Sequence, residues 1–316
     1  LAPNDFNSIM ELSYSHNSLG SLYTEKFDYS AAKQSFTKSL ALKNKALKLK
    51  PNNKNLLRDK ADTISWLAKT EEGLGDFNAA LTMYVNASSE LSNMLLNYPD
   101  DASLSSSLAY TYIQQSYLLS YLPNRQPAYE KAQQATNTIN NAILQDPKSK
   151  YFQDSYYRFL AYQLMLSADK NINEQVNEII KFVKNQYFDN KFIINTQVSL
   201  IHYFIDRLSQ HKAQELLIAL ESDTNYQEYI ANQMKIGDNI IPIRVNLLKA
   251  KLSTTSKQRE QFCLNALQAI IKKAEKDQSV HIIYPLVQVY TCLNRADEIP
   301  KIKANLVKLG ITNFKL

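Results

Sequence analysis

Three short stretches of the sequence, Pro51-Asn52-Asn53, Pro99-Asp100-Asp101 and Pro147-Lys148-Ser149, follow one another at one fixed interval, hereafter the repeat period. In each stretch a helix-ending proline is followed by polar residues of the kind that start a new helix. A fixed period of this length is the signature of a repeat protein, in which each unit stacks on the next. The first region of the chain, residues 1–147, is therefore predicted to hold three helical hairpins, at 5–51, 52–99 and 100–147.

Small side chains recur inside the unit, at two positions where antiparallel helices would approach most closely. On the first helix they are Gly20, Ala68 and Ser116, and on the second they are Ala32, Ala80 and Ala128. Phe36 and Tyr84 are expected to fill the gap between one hairpin and the next. Because a single hairpin leaves one apolar face exposed, the units are predicted to stack.

The pattern His16-x-x-Leu19-Gly20-x-x-Tyr23, followed by Ala32-x-x-x-Phe36, resembles the tetratricopeptide repeat, with His16 in the place usually held by Trp. The second unit matches less fully, with Ile64 at that place and Glu71 where Tyr is usual. The resemblance implies an all-α fold, a right-handed α-α superhelix of antiparallel hairpins. The period in that family is about 34 residues, so the longer period of this chain implies helices roughly 10 Å longer, at ~1.5 Å per residue.

The long period, with Pro51-x-Asn53 followed by Leu57-Arg58-Asp59, is also similar to the extended repeats attached to kinase or DNA-binding domains in bacterial signalling proteins. This second resemblance implies a sensory or interaction region of a larger signalling protein.

The second region, residues 148–316, keeps the helical periodicity without a clean repeat, and we expect degenerate hairpins that continue the solenoid. Its predicted helices are 156–166, 176–187, 193–208, 213–220, 226–236, 240–252, 259–276, 280–293 and 299–309. Gly237 to Asn239 are predicted to be a break between helices, and Gly310 a C-terminal cap. Cys263 and Cys292 are expected to lie level across a turn near Asp277, either as two buried free cysteines, the favoured interpretation, or as a disulfide formed in an oxidising compartment.

The composition supports an all-α fold, because the 316 residues include only five Gly and nine Pro, too few turn formers for a many-stranded sheet. The net charge is +6, from 36 Lys and Arg against 30 Asp and Glu. A run of lysines at the end of a predicted helix, where cations complement the helix dipole, comprises Lys43, Lys45, Lys48 and Lys50. No arginine cluster with interleaved aromatic residues accompanies it, so direct binding of nucleic acid is not expected.

The sequence contains no long apolar run, so no membrane span is expected. No charged-then-apolar leader is recognisable. The chain begins at Leu1 rather than Met, which suggests a processed protein or a fragment of a longer one. The compartment stays open between cytoplasm and periplasm, the latter including the soluble part of a membrane-anchored protein.

The patterns of common catalytic and metal sites do not occur in the sequence. The four histidines are scattered, and no Cys or His pair has zinc-ligand spacing. No Gly-rich phosphate loop or nucleophile elbow occurs. Glu71 and Glu72 end a predicted helix and are expected to be solvated rather than to form a catalytic pair. We therefore expect no enzyme activity, no metal and no cofactor.

In the tetratricopeptide family the first helix of each hairpin lines a concave groove, and the resemblance implies a protein or peptide as partner. The residues that it places in the groove are Tyr14, Asn17, Ser21, Thr24, Asp62, Ser65, Lys69, Tyr110, Ile113 and Tyr117. The main hypothesis is a non-catalytic protein- or peptide-binding scaffold. The alternative is a regulatory domain that binds a small molecule in the solenoid and controls an attached enzyme or DNA-binding domain. A pocket closed by residues 221–240 would favour the alternative, and an open groove the scaffold.

Overall fold

The computed structural model describes residues 5–168, 173–184, 191–206, 209–236 and 240–308, and within these ranges the chain forms helices and no strands. The helices are α1 (Phe6–Glu25), α2 (Tyr29–Leu49), α3 (Lys54–Leu74), α4 (Phe77–Asn97), α5 (Ala102–Leu119), α6 (Gln126–Gln145), α7 (Lys150–Leu166), α8 (Asn173–Lys184), α9 (Lys191–Asp206), α10 (Gln210–Ser222), α11 (Thr224–Ile236), α12 (Ile240–Leu252), α13 (Ser256–Ala274), α14 (Val280–Cys292) and α15 (Ile299–Lys308). The predicted all-α class is confirmed. No helix in the described ranges combines the length and apolarity needed to cross a bilayer.

The repeat period sets where the helices begin. The first helices of successive hairpins are capped by Asp5, Asn53, Asp101 and Ser149. Each cap side chain accepts a hydrogen bond from the backbone N–H three residues further on, which satisfies a donor that the helix itself leaves unpaired. The polar residues predicted to start helices after each proline therefore do so.

The small residues predicted at the helix crossings lie in close contacts. A Cβ atom added to Gly20 would lie 2.7 Å from the Phe36 ring, too close to be accommodated without movement. Ala68 and Ser116 are fully buried, and the Ser116 hydroxyl donates to the Ala128 carbonyl at 2.6 Å. Phe36 is also fully buried. Each hairpin thus packs closely because one residue at the crossing is small.

The second region is helical where it was predicted to be, within the described residues. Here the packing no longer follows the order of the sequence, because α9 packs on α7, α10 and α12. One large apolar cluster joins α7 through α12. The predicted break at Gly237 to Asn239 and the predicted cap at Gly310 lie outside the described residues.

The hairpin formed by α13 and α14, hereafter the C-terminal hairpin, folds back onto the first repeats. In the turn between its helices, the Gln278 backbone N–H donates to the Gly73 carbonyl at 2.8 Å. The Tyr29 hydroxyl donates to the carboxylate of Asp277 at 3.0 Å. One apolar cluster combines residues of α3, α4 and α5 with residues of α14. The first repeats and the C-terminal hairpin are therefore parts of one packed structure.

The two cysteines form a disulfide. Cys263 on α13 and Cys292 at the end of α14 are bonded, with their Cα atoms 6.3 Å apart. The favoured interpretation, two buried free cysteines, was therefore wrong, and the alternative is the one found. The bond joins the two helices of the C-terminal hairpin at the end opposite to its turn.

Candidate functional site

The predicted binding residues belong to α1, α3 and α5. The surface formed by these helices and α7 is hereafter called the first-helix face. Several of the predicted residues connect neighbouring hairpins. The Tyr14 hydroxyl donates to Asp59 at 3.0 Å, and Tyr110 and Ser155 share a hydrogen bond of 3.0 Å. Both pairs are separated by 45 residues, so the same contact recurs between successive units. These side chains hold the units in register as well as facing the surface.

The other predicted residues, apart from Ile113, are half-buried: Asn17, Ser21, Thr24, Asp62, Ser65, Lys69 and Tyr117. Asn17 accepts a hydrogen bond from the Thr63 hydroxyl at 3.3 Å, while the hydroxyls of Thr24 and Ser65 donate to carbonyls of their own helices. Burial raises the pKa of Asp62, although a positive charge at Arg58 opposes the shift. Asp62 thus lies in a partly desolvated part of the face.

Ile113 must be removed from the predicted set. Its side chain has no exposed surface and belongs to the apolar cluster formed by α5, α6 and α7. A partner cannot touch it, because the residue points into the hairpin rather than away from it. Its place in the groove followed from aligning helical positions, which does not fix how a helix is rotated about its axis.

Glu72 lies at the centre of a buried polar cluster and is 2% exposed, so the prediction of a solvated carboxylate was wrong. One carboxylate oxygen accepts from the Tyr84 hydroxyl at 2.6 Å. The other lies 2.9 Å from the Lys69 ammonium and 3.1 Å from Nε2 of His281 on α14. The remaining nitrogen of His281 is 3.1 Å from the Tyr121 hydroxyl. This cluster connects α3, α4 and the turn that follows α5 to the C-terminal hairpin.

Glu71 is also buried, at 4% exposed, and pairs with the ammonium of Lys33 on α2 at 2.5 Å. The reason for the wrong prediction is the same for both residues. Glu71 and Glu72 end α3 as a solvated pair would, but α2 covers one of them and α14 covers the other. Lys43, from the predicted lysine run, is likewise buried at 2% and donates to the Thr63 hydroxyl at 2.5 Å.

Glu72 makes the stability of the fold depend on pH. Burial opposes its ionisation, but the charge of Lys69 and the hydrogen bonds from His281 and Tyr84 outweigh that effect and lower its pKa from 4.5 to about 2. A carboxyl group whose pKa is lower in the folded state stabilises the fold fully above its unfolded pKa, and this contribution is lost as the pH falls through the folded value. The relevant window is therefore about pH 4.5 to 2.

We expect the midpoint of guanidinium-induced unfolding to fall across this window, and we expect Glu72→Gln to reduce that fall. Glu90→Gln, which alters a more exposed carboxylate, should keep the wild-type dependence on pH. If the unfolding midpoint of Glu72→Gln fell with pH as steeply as that of wild type, Glu72 would not be the group responsible.

Arg158 on α7 is held among aromatic rings on the first-helix face. Its guanidinium carbon lies 5.1 Å from the centre of the Tyr110 ring, 4.8 Å from that of Phe159 and 4.3 Å from that of Phe192. Tyr151 stacks on Tyr110 at 5.9 Å. The Nε and Nη2 atoms of Arg158 are covered by neighbouring side chains, while the residue as a whole is half-buried. The part that remains exposed carries a positive charge with which a carboxylate can pair.

A second group of aromatic side chains lies where α5, α7 and α14 meet. The ring of Tyr117 contacts that of Tyr162 edge to face, with centres 4.5 Å apart. The ring of Tyr121 contacts that of Tyr284 at 5.1 Å. Tyr117, Tyr121 and Tyr284 are half-buried, so part of each remains accessible. Burial raises the pKa of Tyr121, which keeps its hydroxyl protonated at neutral pH.

Positively charged side chains lie near these rings, because Arg244 acts on Tyr121 and Arg125 acts on Tyr284. Burial, together with the charges of Lys251, Arg244 and Arg125, lowers the pKa of His202 on α9 well below its usual value. The Arg244 guanidinium is oriented by a hydrogen bond of 2.7 Å to Asn195 of α9. We refer to this group of rings and cations, together with Arg158 and the rings around it, as the aromatic–cationic surface.

Arg158 was missed by the sequence analysis, although a signal for it exists. It lies one repeat period after Tyr110, as Tyr110 does after Asp62 and Asp62 after Tyr14. Extending the repeat by one more unit would have placed it on the first-helix face. Arg244 and His202 carry no such signal, because α9 and α12 depart from the period.

Two surface depressions lie elsewhere. One, of about 590 Å³, covers exposed residues of α2 such as Lys33 and Lys38. The other, of about 100 Å³, lies in the seam between α3 and the C-terminal hairpin, beside Glu72 and Gln278. The first is lined by solvated side chains and the second is too small for a peptide segment. Neither matches the aromatic–cationic surface in chemistry.

In the described part of the chain, no group of three or more His, Cys, Asp and Glu side chains is arranged to hold a metal ion. No protein-family model matches the sequence, and no curated protein is significantly similar to it. Function must therefore be inferred from the side chains of the site.

Proposed function

We propose that this chain is a non-catalytic binding scaffold whose aromatic–cationic surface takes a short acidic segment of a partner protein or peptide. The observation that carries the proposal is Arg158, a half-buried guanidinium that lies among three aromatic rings. The exposed part of this side chain offers a carboxylate of a partner a charge-assisted hydrogen bond beside apolar contact area.

The surroundings of Arg158 support the same ligand chemistry. Burial is the main reason that His202 resists protonation, and the charges of Lys251, Arg244 and Arg125 add to it, so these cations would attract an anionic segment. Tyrosine rings provide contact area at small cost in side-chain entropy and are enriched in binding hot spots. Two tyrosines predicted for the groove, Tyr110 and Tyr117, belong to this surface.

The segment that binds is expected to be short. His281 of α14 contacts Glu72 in the last turn of α3, and Tyr284 contacts Tyr121 just after the end of α5, so α14 covers one end of the first-helix face. A peptide bound on this face cannot extend past that end. The described aromatic contacts of Arg158 are with rings of α5, α7 and α9, so we place the ligand around this residue.

The wider setting is also part of the proposal. The regular helix starts, one repeat period apart, support a tetratricopeptide-like superhelix over α1 to α7. Extended repeats of this kind accompany output domains in bacterial signalling proteins, and we propose an interaction role of that type for this chain.

The alternative, a regulatory domain for a small molecule, is favoured by one observation. The C-terminal hairpin closes one end of the first-helix face and leaves a compact aromatic–cationic surface rather than a continuous groove. A small anion with an apolar body would match that surface. In both alternatives Arg158 pairs with a negatively charged group of the ligand. The alternatives differ in the size of that ligand.

The proposal is tested by selecting binders from a random peptide library displayed against the immobilised protein, then measuring affinity by fluorescence anisotropy. We expect the selected peptides to be rich in Asp and Glu and to bind less tightly as salt increases. Arg158→Gln should weaken binding about tenfold or more, because a hydrogen-bonded charge is lost. Arg158→Lys should be intermediate, since Lys keeps the charge but not the fork of donors.

Lys38→Gln is the matched control, because Lys38 is a solvated cation on α2, outside this surface. Circular dichroism of each variant shows whether the helices are intact. Selection of neutral or basic peptides, or equal affinity in Arg158→Gln and wild type, would overturn the peptide proposal. An empty selection together with a thermal shift caused by small dicarboxylates, and lost in Arg158→Gln, would establish the alternative.

A further inference from the structure

The outward face of α1 carries three exposed leucines. Leu12, Leu19 and Leu22 keep 51%, 43% and 44% of their surface exposed. With Ser8, Ser15 and Lys26 they follow the alternating three- and four-residue spacing of a helix-pairing seam. Single exposed leucines are common, but a row of them on one helix face marks a contact surface.

The corresponding residues of the other units show how this face is packed there. Leu67, one repeat period after Leu19, is 5% exposed and packs on Ala32 and Phe36 of α2. Leu108, two repeat periods after Leu12, is 5% exposed and packs on Leu91 of α4. In α3 and α5 this face is therefore covered by the second helix of the preceding hairpin. On α1 the same face is exposed.

The geometry of the covering helix is also set by the repeat. The connection between α2 and α3 covers only residues 50–53, so the helix that packs on this face of α3 runs antiparallel to it. The same holds for α4 and α5, which are joined by residues 98–101. A helix that covers α1 in the same way would be antiparallel to α1.

We propose that the exposed face of α1 binds the same face of a second copy of this chain, giving a two-fold symmetric dimer through an antiparallel pair of α1 helices. A two-fold interface must be self-complementary. When two copies of α1 are aligned antiparallel about Asn17, Leu12 of one copy lies opposite Leu22 of the other, and Ser15 lies opposite Leu19. Each leucine in the pair thus faces a leucine or a small residue.

The polar residues of the seam are compatible with this arrangement. The Ser15 hydroxyl already donates to the Glu11 carbonyl at 2.9 Å, so burying it leaves no unpaired donor. In the same register Lys26 of one copy comes within one turn of Glu11 of the other, which brings opposite charges together. The seam is one helix long and smaller than a standard stable interface, so a dimer of micromolar affinity is expected.

The test is sedimentation equilibrium of the full chain from low micromolar to several hundred micromolar protein. Wild type should shift from monomer to dimer over this range. Leu19→Glu, which places two carboxylates in the seam, should weaken dimerisation at least tenfold. Leu96→Glu is the matched control, because Leu96 is an 82% exposed leucine of α4 outside the seam, and it should dimerise like wild type.

The antiparallel register is tested by cross-linking with a short bis-maleimide, which leaves the native disulfide intact. A mixture of Leu12→Cys and Leu22→Cys proteins should cross-link, whereas each variant alone should not. A wild type that stays monomeric at all concentrations, a dimer that Leu19→Glu leaves unchanged, or cross-linking of Leu12→Cys with itself would each overturn the proposal. The proposal does not depend on the aromatic–cationic surface, so its failure would leave the peptide-binding proposal standing.

Discussion

Replacing Glu72 with alanine is expected to lower the free energy of unfolding by about 3 to 5 kcal/mol, the usual effect of removing one partner from a buried charged cluster. The substitution leaves the Tyr84 hydroxyl and His281 without their acceptor in a buried place. It also removes the carboxylate that pairs with Lys69. Because the cluster joins α3, α4 and the turn after α5 to α14, the C-terminal hairpin should loosen before the repeats do.

Guanidinium-induced unfolding measures the global loss, and hydrogen exchange of the α14 amides measures the local one. The matched control is Glu90→Ala, which removes a carboxylate paired with Lys60 at 2.7 Å but with both side chains partly exposed. That change should cost no more than about 1 kcal/mol. A loss in Glu72→Ala as small as in the control, with α14 exchange unchanged, would show that the buried cluster does not hold the hairpin in place.

Removing the disulfide is expected to lower the free energy of unfolding by about 3 to 4 kcal/mol. The bond joins residues separated by 29 positions, and a cross-link of that span restricts the unfolded chain substantially. The native hairpin should survive reduction, because Val287 and Val289 of α14 and Ile270 of α13 stay buried in one apolar cluster without the bond. The effect is therefore one of stability rather than of architecture.

The measurement compares thermal unfolding of the oxidised protein, of the reduced protein and of the double variant Cys263→Ser/Cys292→Ser. Since the chain contains two cysteines, a reductant acts on this bond alone. The reduced protein and the double variant should unfold at the same lower temperature. Adding the reductant should not change the unfolding temperature of the double variant. A wild type whose unfolding is unaffected by reduction would contradict the assigned bond.

The hairpins of the first region could be predicted because the sequence features that define them are local. A capping side chain, the small residue at a crossing such as Gly20, and the proline that ends a unit each act within one hairpin, so the repeat period reveals them. The same periodicity predicted the helices of the second region but not how they pack. Packing of α9 on α7 and α12 depends on contacts between distant segments, which no local pattern encodes.

The candidate site was predictable only in part, for the same reason. Tyr110 and Tyr117 were assigned to the candidate surface from their helical positions, and Arg158 could have been assigned to it by continuing the repeat. Glu72 could not, because a carboxylate at a helix end indicates solvent unless a distant element covers it. The element that covers it, α14, belongs to the far C-terminal part of the chain. Arg244 and His202 join the surface through the same kind of distant packing.

Hydrogen exchange of the protein with and without a saturating acidic peptide would show whether the aromatic–cationic surface is the binding site. We expect slower exchange in α5, α7, α9 and α12 when the peptide is bound, with no change in α2 and α4. The pattern should disappear in Arg158→Gln at the same peptide concentration. Protection confined to α2 and α4, or protection that Arg158→Gln leaves intact, would place the peptide elsewhere and contradict the assignment of this surface.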